Sequence, residues 1–335
     1  MKPVRVAVIG AGNWGRNHVR TLLALPEAEL VAVCDTDEVC RKELQGQFPS
    51  VNVTGSLADA VASAEAVVVA TPGPSHSALA IEMIDAGKVV LIEKPLALNV
   101  ADAEAIVSAS KKTGVPALVG HLLLFHPAVE RLKELINTGE LGDPLYLYSQ
   151  RVNLGQIRPD ENALWSFGPH DVSVALELLG EEPIAVTAQG KSYLQEGIED
   201  VVFMVMEFAS GVIMNVQLSW LDPHKERRLT VVGSSKMAVF DDMAPREKLK
   251  IYDKGVNKPP EYKSFGESLS VREGDIFIPR IGNVEPLAAE LKHFLAVARG
   301  APNDRISVSG GVRVIRILEA ASKSLKMSGE RVKIV

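Results

Sequence analysis

At 335 residues the chain is too long for one ordinary core, which predicts two domains. Its 47% hydrophobic and 23% charged residues are an ordinary globular composition, and a net charge of −6 argues against a general nucleic-acid binder or an anionic membrane surface. Only two cysteines, Cys34 and Cys40, are present, which excludes a disulfide framework and fits a reducing compartment.

The chain opens on a β-branched apolar run from Val4 to Ile9, followed by Gly10-x-Gly12-x-x-Gly15 and a segment of helical spacing at 17–25 with Val19, Leu22 and Leu23 on one face. Strand, glycine turn and helix is the context in which this motif signifies a dinucleotide site. Gly10 permits the tight turn, Gly12 a close approach by a pyrophosphate, and Gly15 close packing of helix on strand. Asn13 and Trp14 lie within the turn and are grouped with it. A second apolar run at 29–34 ends in Asp35, 20 residues past Gly15, where a carboxylate accepts from the adenosine ribose hydroxyls. That carboxylate repels a 2′-phosphate, so NAD is expected over NADP. The first strand begins at residue 4, leaving no room for a signal peptide, and no apolar stretch is long enough to span a bilayer. A cytoplasmic protein is expected.

Strand–helix alternation continues. Helix is predicted at 36–47, strand at 51–54, helix at 56–62 and a buried strand at 65–70 that stops at Thr71-Pro72. Ser75 reads as the N-cap of a helix to residue 86, and Asn99 as the cap of one to about 112, with strands at 88–92 and 115–120. This predicts a doubly wound parallel sheet in a dinucleotide-binding domain over 1–122. From 123 to 335 an α+β domain with a largely antiparallel sheet is expected, for substrate binding and oligomerisation. A helix is predicted at 127–137, strand-like runs at 144–152, 183–190, 200–208, 211–219, 228–233, 236–240 and 248–252, and a helix near 170–179. An irregular excursion is read over 253–285, then helices at 286–298 and 309–327 and a last strand at 331–335.

Glu93-Lys94-Pro95 follows the fifth strand, at the carboxyl edge where nicotinamide lies in such a fold. A lysine there can stabilise charge developing on a substrate oxygen, although the tripeptide alone equally suits a surface lysine held by Pro95. Gly168-Pro169 suits a helix start, which puts His170 at a helix N-terminus whose dipole disfavours imidazolium. A histidine merely packed at a helix start reads as well. His121 and His126 have no third ligand at suitable spacing, so no metal is expected.

Gly10-x-Gly12-x-x-Gly15, Asp35, Thr71-Pro72, Glu93-Lys94-Pro95 and a Gly-x-His together resemble the glucose–fructose oxidoreductase / inositol dehydrogenase (Gfo/Idh/MocA) family over essentially the whole chain. The resemblance implies a Rossmann domain and an open-sheet C-terminal domain, with Lys94 near nicotinamide and substrate and His170 as catalytic acid/base. It groups Thr71, Pro72, His76, Glu93 and Lys94 with the NAD site. Many members carry an aspartate four residues before the histidine, where this chain has Ser166. The segments 162–171 and 219–225 are similar to the subgroup that oxidises nucleotide sugars, such as UDP-N-acetylglucosamine 3-dehydrogenases, for surface-polysaccharide and lipid A sugars.

That similarity makes a sugar nucleotide the expected substrate, with His121, Arg151, Asn153, Gln156, Arg158, Trp165, Ser166 and His170 as its binding residues. A homo-oligomer (dimer or tetramer) and a pathway aminotransferase are the expected partners, with no nucleic acid and no membrane. A free-polyol dehydrogenase and a catalytically silent regulator are the competing functions.

Overall fold

The computed structural model describes residues 2–159, 161–257 and 270–334. In chain order the elements are β1 (Val4–Ile9), α1 (Asn13–Ala24), β2 (Ala28–Cys34), α2 (Glu38–Gln47), β3 (Val53–Thr54), α3 (Leu57–Val61), β4 (Ala66–Val69), α4 (His76–Asp85), β5 (Val89–Ile92), α5 (Val100–Thr113) and β6 (Ala117–Val119). Then come α6 (Pro127–Asn137), β7 (Pro144–Val152), α7 (Ala163–Leu179), β8 (Pro183–Lys191), β9 (Val201–Phe208), β10 (Ile213–Ser219), β11 (Glu226–Gly233), β12 (Met237–Asp241), β13 (Leu249–Asn257) and β14 (Ser270–Phe277). The chain closes with α8 (Pro286–Ala298), α9 (Val308–Lys326) and β15 (Val332–Lys333).

Two compact units result, the first of residues 1–125 and 284–316, the second of 126–283 and 317–335. The sequence places a single boundary after residue 122; in the structure 284–316, which holds α8, returns to the first unit. A return over such a separation leaves no local trace in composition.

The first unit is built on a six-stranded sheet in the order β3-β2-β1-β4-β5-β6, every pairing parallel. Val6, Ala7 and Val8 on β1 and Val67, Val68 and Val69 on β4 are fully buried, as strands covered on both faces must be. Each such valine contributes about 1.5–3 kcal/mol by leaving water. Strand order reverses between β1 and β4, and the crevice outside their carboxyl ends is where an open α/β sheet binds its ligand.

The second unit holds a nine-stranded sheet, β14-β13-β12-β11-β7-β10-β9-β8-β15, antiparallel except where β10 runs parallel to β7. On β9, Val202, Met204, Met206 and Phe208 are buried while Phe203 is exposed, the alternation of a sheet with one packed face. Trp220 is wholly buried; its Nε1 donates to Asp200 Oδ1 at 2.5 Å, and Asp200 Oδ2 accepts from the N–H groups of Tyr193 (2.6 Å) and Leu194 (2.9 Å).

Three expectations change. The excursion read over 253–285 begins as the end of β13 and includes β14, while 258–269 lies outside the described residues. β14 is an edge strand, and its sequence Ser-Val-Arg-Glu-Gly-Asp-Ile-Phe shows little of the alternation that betrays a packed strand. Ser75 makes no cap bond to α4; its hydroxyl donates to the Pro72 carbonyl at 2.7 Å. The helix bearing His170 starts at Ala163, capped by Asn162, whose side-chain oxygen accepts the Trp165 N–H at 3.1 Å. Pro169 is therefore inside α7 and His170 sits two turns from its start, so the helix-dipole argument for a neutral imidazole does not apply. Among the described residues no helix is long and apolar enough to cross a membrane.

Candidate active site

The glycine turn has the geometry its spacing demands. Gly10 adopts φ +102°, and a Cβ there would lie 2.5 Å from the Ala70 carbonyl oxygen beyond β4. A Cβ on Gly15 would collide with the Gly10 carbonyl, so the helix touches the turn only because Gly15 lacks a side chain. Gly12 differs: a Cβ there would meet nothing within 4 Å. It precedes α1, which has no side-chain cap, leaving first-turn N–H groups to an anion. Asp35 reaches back to this turn. Its Oδ2 accepts the Ala11 N–H at 2.7 Å and its Oδ1 the Asp37 N–H at 2.8 Å. A carboxylate fixed in this way keeps lone pairs for ribose hydroxyls. An uncapped helix start, a glycine with open space before it and a carboxylate anchored beside them fit a dinucleotide.

A second cluster lies at the carboxyl ends of β4 and β5. His76, nearly fully buried at the head of α4, has Nε2 2.7 Å from the Thr71 carbonyl and Nδ1 2.7 Å from the Pro95 carbonyl. Both ring nitrogens are thus committed to backbone, and the imidazole ties the Thr71-Pro72 turn to the Lys94-Pro95 turn, whose peptide bond is cis. Glu93 is buried; its Oε2 accepts the Lys94 N–H at 3.1 Å and its Oε1 lies 2.7 Å from His18 Nε2. Burial pushes the Glu93 carboxyl up, but the His18 hydrogen bond and charge, with Lys94, outweigh it and hold Glu93 below its usual value.

His121 is buried beside this cluster, and neither ring nitrogen has a hydrogen-bond partner among the described residues. Burial lowers it to about 4, against the pull of Glu93 and with the push of Lys94, so the ring is neutral at pH 7. Glu290 of α8 is wholly buried without a hydrogen-bond partner among the described residues. Burial, then the like charge of Glu93, raise its carboxyl well above the ordinary range.

In the second unit, Ser166 and His170 stand one turn apart on α7, Ser166 nearly fully buried. Asp171 is also buried and pairs with Arg151 of β7, Oδ2 to Nε 2.7 Å. Arg227 of β11 stands opposite Arg151 in register and lies 3.9 Å from Asp242. Burial, then the charge of Arg151, lower the Arg227 guanidinium. Asp242 is held well below the usual carboxylate range, chiefly by a hydrogen bond from His126 and against its burial, with help from Lys248.

Not every expected substrate residue is drawn together. Arg158 pairs with Glu161 at 3.0 Å, Trp165 spends its indole N–H on Ser322 at 3.0 Å, and Gln156 is exposed. Asn153 engages its backbone with Ser219 and Asp222.

Residues 4–121 match the oxidoreductase family with NAD-binding Rossmann fold, and residues 129–239 match the GFO/IDH/MocA C-terminal domain. The chain belongs to the Gfo/Idh/MocA oxidoreductase family. The cofactor is NAD. The UDP-N-acetylglucosamine 3-dehydrogenase of Acidithiobacillus ferrooxidans is 28% identical over 95% of each chain. The scyllo-inositol 2-dehydrogenase (NAD(+)) of Bacillus subtilis is 30% identical over 69% of this chain and 72% of its own. GenD2 from gentamicin A biosynthesis, solved in complex with NAD, superposes with a TM-score of 0.83 at 25% identity, over 100% of this chain and 97% of its own.

For a Gfo/Idh/MocA member the features that sequence reasoning missed are His18, Glu290, Arg227 and Asp242. His18 had a signal: it interrupts the apolar stripe of α1 formed by Gly15, Val19 and Leu22, and a polar residue on a buried face requires a partner. Its partner lies 75 residues away, which spacing cannot show.

Proposed function

We propose that the protein oxidises a secondary hydroxyl, at C3, of a nucleotide sugar such as UDP-N-acetylglucosamine or its uronic acid. The hydride acceptor is the nicotinamide ring of NAD. In this reading Lys94 hydrogen-bonds the reacting hydroxyl and stabilises charge developing on its oxygen, while His170 is the acid/base that handles its proton. The keto sugar would feed a pathway aminotransferase in surface-polysaccharide or lipid A synthesis.

One observation carries the choice of substrate: the residue one turn before His170 is Ser166, and the neighbouring carboxylate of Asp171 is committed to Arg151. A carboxylate there would help orient a free polyol. With none, orientation falls to binding energy remote from the reacting carbon, which a nucleoside diphosphate supplies. Of the two arginines expected to hold that diphosphate, Arg158 is paired with Glu161, so Arg227 beside Arg151 is the better candidate. The full-length likeness to a UDP-N-acetylglucosamine 3-dehydrogenase supports the same reading. Exposed Tyr146, Tyr148, Phe203 and Ile213, on one face of the nine-stranded sheet, support a homo-oligomer.

The likeness to scyllo-inositol 2-dehydrogenase favours a second reading, a free-cyclitol dehydrogenase. A screen of UDP-sugars against free polyols, following nicotinamide absorbance under single-turnover conditions, separates the two. NADH formation with a UDP-sugar and none with myo-inositol is expected; robust turnover of myo-inositol with no calorimetric binding of any UDP-sugar would establish the cyclitol reading instead.

A further inference from the structure

His18 and Glu93 form a buried pair beside the Lys94 turn. His18 stands in the second turn of α1, entirely shielded from solvent, three residues beyond Gly15. Glu93 ends β5 and immediately precedes Lys94. One carboxylate oxygen faces His18 Nε2 at 2.7 Å and the other accepts the Lys94 N–H at 3.1 Å. An ionised carboxylate can only accept, so Nε2 of His18 bears the proton in this bond.

The other ionisable groups around Glu93 cannot take over its charge. Burial, then the like charge of Glu93, raise the Glu290 carboxyl well above its usual range, and burial lowers His121 to about 4, so neither adds a second charge readily beside Glu93. The negative charge is therefore concentrated on Glu93, with Lys94 and His18 as the groups that favour it. Electrostatic coupling is reciprocal: if Lys94 favours ionised Glu93, ionised Glu93 favours protonated Lys94. Removing His18 would leave a buried carboxylate without its hydrogen bond, which then takes up a proton and stops acting on Lys94.

We propose that His18 is a positioning residue for Lys94, acting through Glu93. Its hydrogen bond keeps the Glu93 carboxylate charged and oriented, and Glu93 in turn fixes the Lys94 backbone and the charge around its amine. This rests on the reading of Lys94 as a catalytic residue. It also gives the glycine-turn helix a second duty, since α1 both offers its N-terminus to the cofactor and steadies the lysine turn.

The test is the titration of the Lys94 amine in the full-length chain, followed by competitive acetylation across pH and mass spectrometry, which needs no substrate. In Glu93→Gln, an isosteric change, Lys94 should titrate lower by about one pH unit. His18→Leu should produce the same shift, and the double variant should add nothing to Glu93→Gln alone. His18→Gln, whose amide reaches towards the Nε2 position, should keep Lys94 nearer its unmodified titration. Turnover should fall in parallel with the Lys94 shift, read as kcat rather than KM.

An unchanged Lys94 titration in folded Glu93→Gln overturns the proposal, and so do additive shifts in the double variant. Should His18→Leu fail to fold, Glu93→Gln and His18→Gln still decide the matter. A Lys94→Ala protein with full turnover would instead sink the catalytic role of Lys94, whatever the titrations show.

Discussion

The surroundings of Glu93 in the first unit and of Asp242 in the second hold their charges in opposite ways. Around Glu93 the bonded side chains of His18, Glu93 and His76 are buried and few, and they tie two turns together: His18 to Glu93, Glu93 to the Lys94 N–H, His76 to the carbonyls of Thr71 and Pro95. Around Asp242, side chains pair with side chains at longer range, with Arg227 at 3.9 Å, His126 at 3.5 Å and Lys248 at 3.3 Å, the Arg227 side chain 43% exposed. Charges in a dry environment with short bonds fix a geometry. Charges in loose pairs near solvent can exchange partners and are screened by salt. For the proposed function, the first arrangement suits a lysine that must stand still beside nicotinamide, and the second suits reading an anionic substrate.

The hardest blow to this contrast would come from the catalytic assignments. Lys94→Ala and His170→Ala should each lower kcat by roughly 10²–10⁴, read by nicotinamide absorbance on the substrate the screen identifies. Calorimetry should show NAD binding nearly unchanged in His170→Ala, because His170 belongs to the second unit. Unmodified turnover in His170→Ala would remove the second unit from the chemical step.

A smaller effect tests how dry the first region is. His121 titrates at about 4 when folded, against an ordinary value near 6.5. Below pH 6.5 the unfolded chain therefore binds a proton that the folded chain does not. Stability falls as pH drops from about 6.5 to about 4, by about 3 kcal/mol in all, and levels off for this group below that. Urea denaturation across this range should show the loss, and His121→Leu should flatten it. A His121→Leu profile as steep as the unmodified one would place the acid sensitivity elsewhere.

The smallest effect concerns cofactor choice. Asp35→Ala should weaken NAD by about tenfold, the scale of one or two lost hydrogen bonds, and narrow the gap to NADP. Equal affinity of the unmodified protein for both cofactors, measured by calorimetry, would contradict the ribose role of Asp35.

What the sequence revealed follows the range over which each signal acts. The glycine turn, Asp35 and the buried run of β1 are readable because strand, turn and carboxylate lie within 35 residues and obey steric rules, and the run of β4 is readable because a strand covered on both faces is continuously apolar. The helix Pro127–Asn137 was placed to its ends, because Pro127 at its start and the apolar spacing agree. α7 was misplaced because Gly168-Pro169 imitates a helix start; the true cap, Asn162, lies upstream and its bond to the Trp165 N–H competes with that signal. β14 was missed because an exposed edge strand is not obliged to alternate. The pairs His18–Glu93 and Arg151–Asp171 join residues 75 and 20 positions apart, and only folding shows that Arg158 turns to Glu161 instead.

The central claim is that a nucleotide sugar loses its C3 hydrogen to NAD, and deuterium reads that directly. UDP-N-acetylglucosamine carrying deuterium at C3 would be mixed with excess protein and NAD, and the cofactor analysed by mass spectrometry after one turnover. The account predicts NADH one mass unit heavier, with formation slowed relative to the unlabelled sugar. Unlabelled NADH, or none while myo-inositol reduces NAD under the same conditions, would contradict it.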